Sequence, residues 1–152
     1  MTEGAVNNPN PKGALEQGRK GYTDEEIECI YRLAYAGLEN GNLKQAELIV
    51  LGLIEVAPNF IPAWLALAYV RGQDGNYAGA QSASEQALRI DGESIEALLF
   101  TVSYLLTNSD MQSAGTYLGE VADRIDNNQL TDPTLIRFFR AQMLRYQNRE
   151  VS

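Results

Sequence analysis

Apolar residues along this chain come in blocks of helical length, each closed by a short run of Asn, Asp, Gly or Pro. The first block opens at Thr23-Asp24-Glu25-Glu26, where Thr23 can cap the first free amides and Glu26 can reach back to the amide of Thr23. The acids of that turn also sit at the positive end of the helix dipole. The helix is expected to run to about Glu39 and to stop at Asn40-Gly41, which can take the left-handed conformation. Further helices are expected at about 43–56, from a cap at Asn59 to Asp74-Gly75, at about 77–90, from beyond Asp91-Gly92 to about Thr107, and at about 111–125. Pro58 favours a helix end at Ala57, and Pro62 is tolerable inside a first turn. A seventh helix starts at Thr131-Asp132-Pro133, with Leu135, Ile136, Phe139 and Met143 on one stripe and Arg137 and Arg140 free to point to solvent. No stretch reads as a strand, so the fold class is all-α.

The blocks repeat. Ile27, Ile61 and Ile95 lie 34 residues apart, as do Ala46, Ala80 and Ala114, and also Leu43, Tyr77 and Met111. The turns repeat with them, as Asn40-Gly41-Asn42, Asp74-Gly75-Asn76 and Asn108-Ser109-Asp110. A helix–turn–helix at this period marks a helical repeat array, here with units 27–60, 61–94 and 95–128. The helix at 131–148 leaves the pattern and is expected to cap the array, since a terminal repeat needs a cover with one polar face. Residues 1–21 hold four glycines, two prolines and three asparagines, and are expected to be disordered.

Composition removes several functions. With no histidine, neither a His-based triad nor a His metal site can form, and one cysteine excludes an internal disulfide and a multi-thiolate zinc site. Cys29 lies at helical spacing in an apolar stripe and is expected to be a buried core residue. Asp74-Gly75-Asn76 and Asp91-Gly92-Glu93-Ser94 lack the ligand series of a calcium loop and read as turns. No cofactor, metal or catalytic residue is therefore expected. No apolar run approaches the roughly 18 residues of a membrane span, and no signal peptide is visible, so the expectation is a cytoplasmic protein without a membrane partner. The net charge of −8 is uneven: residues 24–132 carry 17 acids and 5 bases, whereas 133–152 carry four arginines and one acid. An acidic body repels a phosphate backbone, so no nucleic acid is expected and a neutral or basic polypeptide is the better partner. The same acids can equally serve only to keep a small protein soluble.

The spacing within each unit resembles the tetratricopeptide repeat (TPR). The middle unit supplies Trp64, Leu67-Ala68, Tyr77 and Ala80; the first supplies Leu33-Ala34, Ala46 and Pro58, with Ile30 where an aromatic is usual; the third supplies Leu98, Thr101-Val102 and Ala114. Leu53 at a usually small position, and Gly92 and Asp126 where proline is common, depart from the pattern. The resemblance covers residues 24–128 and implies three units stacked as a short right-handed superhelix whose first helices line a concave binding face. By that resemblance Glu28, Tyr31, Tyr35 and Leu38, then Pro62, Leu65, Tyr69 and Gly72, then Glu96, Leu99, Ser103 and Leu106 point inward, with Phe100 at the border. The expected groove is thus Tyr31, Tyr35, Leu38, Leu65, Tyr69, Leu99, Phe100, Ser103 and Leu106, with the seventh helix folding over part of the third unit. Some of these residues, Leu99 and Leu106 foremost, can instead fill helix–helix seams.

Members that grip acidic chaperone tails use Lys, Asn and Arg at positions that here hold Tyr31, Tyr35, Ala66, Glu96 and Phe100, so no carboxylate clamp can form. Size, acidity and the stretch Ile30-Tyr31-Arg32-Leu33-Ala34-Tyr35 followed by Gly41 resemble the class II translocator chaperones of bacterial type III secretion; needle-subunit co-chaperones share the same layout. The resemblance implies a chaperone holding an apolar, extended or helical segment of a secreted subunit before export. The alternative is a scaffold or adaptor subunit of a larger assembly, or a homodimer formed through the N-terminal segment and first helix. In the chaperone reading, Tyr35→Asp and Leu65→Asp are both expected to abolish client binding while leaving the melting temperature within a few degrees.

Overall fold

The turn positions repeat in backbone geometry as well as in sequence. The computed structural model describes residues 21–150; the expectation of disorder for residues 1–21 falls, except for Gly21, outside them. Helices α1 (Asp24–Glu39), α3 (Ile61–Gln73) and α5 (Ile95–Thr107) each end in a left-handed residue: Gly41 at φ 75°, Gly75 at φ 80° and Ser109 at φ 67°. The amides of Asn42, Asn76 and Asp110 then donate back to the carbonyls of Gly37, Arg71 and Leu105, each at 2.8 Å. This Schellman closure satisfies carbonyls that the helix end leaves without intrahelical partners. Serine in the left-handed region costs about 1–2 kcal/mol where glycine costs none, so the unit's turn geometry outweighs the local preference of Ser109.

The same three residues start the return helices, α2 (Leu43–Val56), α4 (Tyr77–Ile90) and α6 (Met111–Asp126). Asn76 Oδ1 accepts from the Gly79 amide at 3.0 Å and Asp110 Oδ1 from Ser113 at 3.1 Å, whereas Asn42 turns its side chain to Gln45. One residue thus closes one helix and opens the next, and the connection is correspondingly tight. Thr23 and Glu26 form the expected capping box, and these hydrogen bonds hold the Glu26 carboxyl below its ordinary pKa.

Small residues set how closely the helices approach. Ala46, Ala80 and Ala114 are fully buried, as are Ala34, Ala68 and Val102 at the matching place in the first helices. Trp64 donates its indole N–H to the Pro58 carbonyl at 2.8 Å, which ties the start of α3 to the preceding turn. Ala97 shares a core cluster with Leu65, and farther along Tyr104 donates its hydroxyl to the Ala68 carbonyl at 3.0 Å, so α5 runs parallel to α3. A methyl group at Gly72 would meet that hydroxyl at 2.7 Å, so glycine is what lets the two helices close. The result is two layers, with α1, α3 and α5 in one and α2, α4 and α6 in the other.

Helix α7 (Pro133–Gln147), capped by Asp132 and followed by a 3-10 turn (Asn148–Glu150), packs on α5 and α6. Leu135, Ile136, Phe139 and Met143 face those helices, and Phe138 and Tyr146 join them. Two local expectations fail. The cap of α3 is Phe60, not Asn59, and it makes no side-chain capping bond. Phe60 is instead buried against the Tyr31 ring, and Pro62 removes one of the amides a cap would serve. Cys29 is exposed: among the described elements α1 packs on α2 and α3, and the rest of its surface looks outward.

Candidate concave groove

The layer of first helices holds a hollow of about 330 Å³. Tyr31, Tyr35, Leu38 and Glu39 of α1, Leu65, Ala66 and Tyr69 of α3, and Glu96 and Phe100 of α5 line it. Six of the nine residues expected in a groove therefore meet in one place: Tyr31, Tyr35, Leu38, Leu65, Tyr69 and Phe100. Tyr31 and Tyr35, one turn apart, have ring centroids 6.2 Å apart, and Tyr31 meets Phe60 edge-on at 5.5 Å. Phe100 is held edge-on by Phe138 of α7, also at 5.5 Å. Tyr35 and Tyr69 stay substantially exposed at 50% and 39%, while Leu65 forms floor at 5%.

Leu99 and Leu106 are corrections. Leu99 is fully buried with Val121, Leu130 and the inner face of α7, and Leu106 is covered with Met143 and Tyr146 in its cluster. Here residues of α7 pack against both. Ser103 lies apart from the first hollow, in a second one of about 470 Å³ with Tyr77, Tyr104, Thr107, Phe138 and Gln142. The two hollows share Tyr69 and Phe100, so they are neighbours along one face. Arg145 fastens α7 there: it donates to the Ser103 hydroxyl at 3.2 Å and to the Thr107 hydroxyl at 3.0 Å.

Burial in the hollow, with lesser contributions from Glu96, Tyr35 and Glu28, raises the Tyr31 hydroxyl pKa, so it remains a neutral donor. Tyr104 is pushed up to about 12, again mainly by burial. Glu96 is raised too, by desolvation first and by the Asp132 carboxylate second, although the first turn of α5 ordinarily favours an anion. The native state therefore holds that proton more tightly than the unfolded chain. Stability falls as pH rises from the ordinary carboxylate value through the raised one, and stays lower above it. Thermal melts of Glu96→Gln should accordingly show a gain over the parent at neutral pH that shrinks on acidification. A loss at neutral pH would mean that the carboxylate is stabilised by a partner.

Ala66 and Glu96, already placed among the inward positions, line the hollow as well, and Glu39 is the lining residue that the pattern did not single out. Glu39 lies four residues beyond Tyr35 and eight beyond Tyr31, so the tyrosine stripe itself was the signal that pointed to it. Among the described residues no group of three or more His, Cys, Asp or Glu could hold a metal ion, and no helix is long and apolar enough to cross a membrane.

The paired helices and their two layers define a helical-repeat fold of the tetratricopeptide type. No family model matches the chain. The chain is similar to the peroxisomal targeting signal receptor of Saccharomyces cerevisiae, 32% identical over 95 residues; the match covers 61% of this chain but only 15% of that protein's length. Among solved structures it is similar to the type III secretion translocator chaperone SycD of Yersinia enterocolitica in an alternative dimer (TM-score 0.73, 17% identity, 87% of this chain and 97% of that one). It is also similar to SycD in complex with a peptide of the translocator YopD (TM-score 0.73, 15% identity, 87% and 98%). PcrH of Pseudomonas aeruginosa, in complex with the chaperone-binding region of PopB, matches with TM-score 0.70 and 15% identity over 83% and 98%. At these identities the likeness establishes a shared fold.

Proposed function

We propose that this protein is a non-catalytic chaperone that holds an apolar segment of a secreted subunit, a type III translocator or needle protein, in its concave groove before export. The observation that carries this reading is the hollow itself: exposed tyrosines around an aliphatic floor, without the cationic clamp that would grip an acidic tail. Tyrosines present large area with few rotors and keep a hydroxyl for a client's backbone. One structural relative carries a peptide of a translocator and another the chaperone-binding region of PopB, which supports a protein segment as client. Co-expression with type III translocator and needle subunits from the same genome tests the reading by size-exclusion chromatography. A soluble one-to-one or higher complex supports it, and clients that all stay unbound and insoluble overturn it.

The first unit has a second surface, suited to another copy of the chain. At equivalent positions α2 carries Leu48, α4 Ser82 and α6 Thr116, all exposed, and Leu48 is 72% open. Leu51, likewise open, matches Glu85 and Gly119. With Tyr22, Ile30 and Val56, Leu48 borders an outer hollow of about 430 Å³. Repeat geometry does not require leucine there, so a partner surface is the better reason for it. Leu48→Glu should leave the melting temperature nearly unchanged while sedimentation shifts from dimer to monomer. A parent chain that is monomeric at high concentration would refute this surface.

A further inference from the structure

The rim of the concave hollow is charged with one sign only. Glu39 closes it where α1 ends, and Glu96 stands where α5 begins, close enough to Tyr31 to disturb its hydroxyl. Asp132, at the start of α7, is near enough to Glu96 to resist its ionisation. Among the described residues no lysine or arginine lines this hollow or the neighbouring one. Arginines of α3, α6 and α7 bond elsewhere: Arg71 donates to the Gly79 carbonyl, Arg124 pairs with Glu93, Arg137 donates to the Thr134 hydroxyl, and Arg145 serves Ser103 and Thr107. Two carboxylates that repel beside an apolar, partly dry floor gain most from a cation brought by whatever enters.

We propose that the hollow selects protein segments in which a lysine or arginine adjoins the apolar side chain that enters it, the cation lying at the edge where α5 and α7 begin. This rests on the groove reading above and adds the client's charge to it. The floor supplies affinity through buried apolar area, and the rim supplies choice among apolar segments, because a carboxylate brought to Glu96 and Asp132 is repelled. A clamp for acidic tails has the opposite polarity.

Fluorescence polarisation on the full-length protein provides the test, with short labelled peptides identical except that the residues flanking a central Leu–Phe pair are lysine, glutamine or glutamate. The lysine peptide should bind most tightly and the glutamate peptide least, with the gap closing at high salt. Glu96→Gln and Asp132→Asn should each weaken the lysine peptide by about threefold to fivefold and leave the glutamine peptide unchanged. Asparagine still caps α7, so the second variant keeps its fold. Equal affinity for the three peptides, or a lysine preference that persists in both variants, overturns the charge selection while leaving the groove reading intact. Failure of every peptide to bind overturns both.

Discussion

Tyr35→Asp should cost the protein its client and little else. Tyr35 stands half exposed on the wall of the hollow and stacks loosely on Tyr31, so its ring is available to a ligand and contributes little to the core. Aspartate removes that ring and sets a carboxylate one turn before Glu39, on a rim that is already acidic. Loss of a central aromatic anchor typically costs about 2 kcal/mol or more, a drop in affinity of roughly thirtyfold. The like-charge pair with Glu39 and the poorer helix propensity together cost about 1 kcal/mol, a few degrees in Tm. Titration calorimetry with the co-expressed client, beside a thermal melt, measures both numbers. Unchanged affinity would place the client elsewhere on the molecule. Leu65→Asp, equivalent to Tyr35→Asp on sequence grounds, is not so in the structure. At 5% exposure it would bury a carboxylate beneath the hollow, and loss of binding would then report unfolding.

Leu99→Ala should give the reverse result. Its side chain is fully buried where α5, α6 and α7 meet, with Val121, Leu130 and Phe139 in the same cluster. A leucine truncated to alanine in such a place costs about 2–5 kcal/mol, because the cavity left behind closes only partly. For a chain of this size that corresponds to a fall in Tm of roughly 5–15 °C. Client affinity of the folded fraction should be unchanged, since Leu99 is not among the residues that line either hollow. A variant with normal Tm and weakened binding would show that the client reaches beneath α7, making the groove longer than the present structure opens it.

These two residues show how much was legible beforehand. Both are inward-facing positions of first helices, one in the first unit and one in the third, and the repeat pattern treats them alike. Leu33, Leu67 and Thr101 make the same point: at one shared position their exposures are 65%, 1% and 0%. The motif specifies which way a side chain points within its unit. Whether something lies in that direction depends on the neighbours, and the first unit has no described unit before it. The third unit has α7, which departs from the period, so the pattern carries no information about where it docks.

The sequence by itself determined the helices, the turns and the stacking unit, because these rest on local physics repeated at 34-residue spacing. Capping residues, the Schellman turns and the small residues at the helix crossings act over a few residues or within one unit, even at Ser109, where the local preference runs against the turn. It also placed the tyrosine stripe of α1 on the open face. Only the tertiary structure decided where the groove ends, since that follows from α7 covering Leu99 and Leu106 and from Arg145 fastening it to α5. It also set Glu39 beside the same apolar floor as Glu96, and brought Asp132, distant along the chain, near enough to Glu96 to act on its charge. The reason is physical: burial and electrostatic environment are properties of what surrounds a side chain, and in an array with two different ends the surroundings differ although the repeat does not.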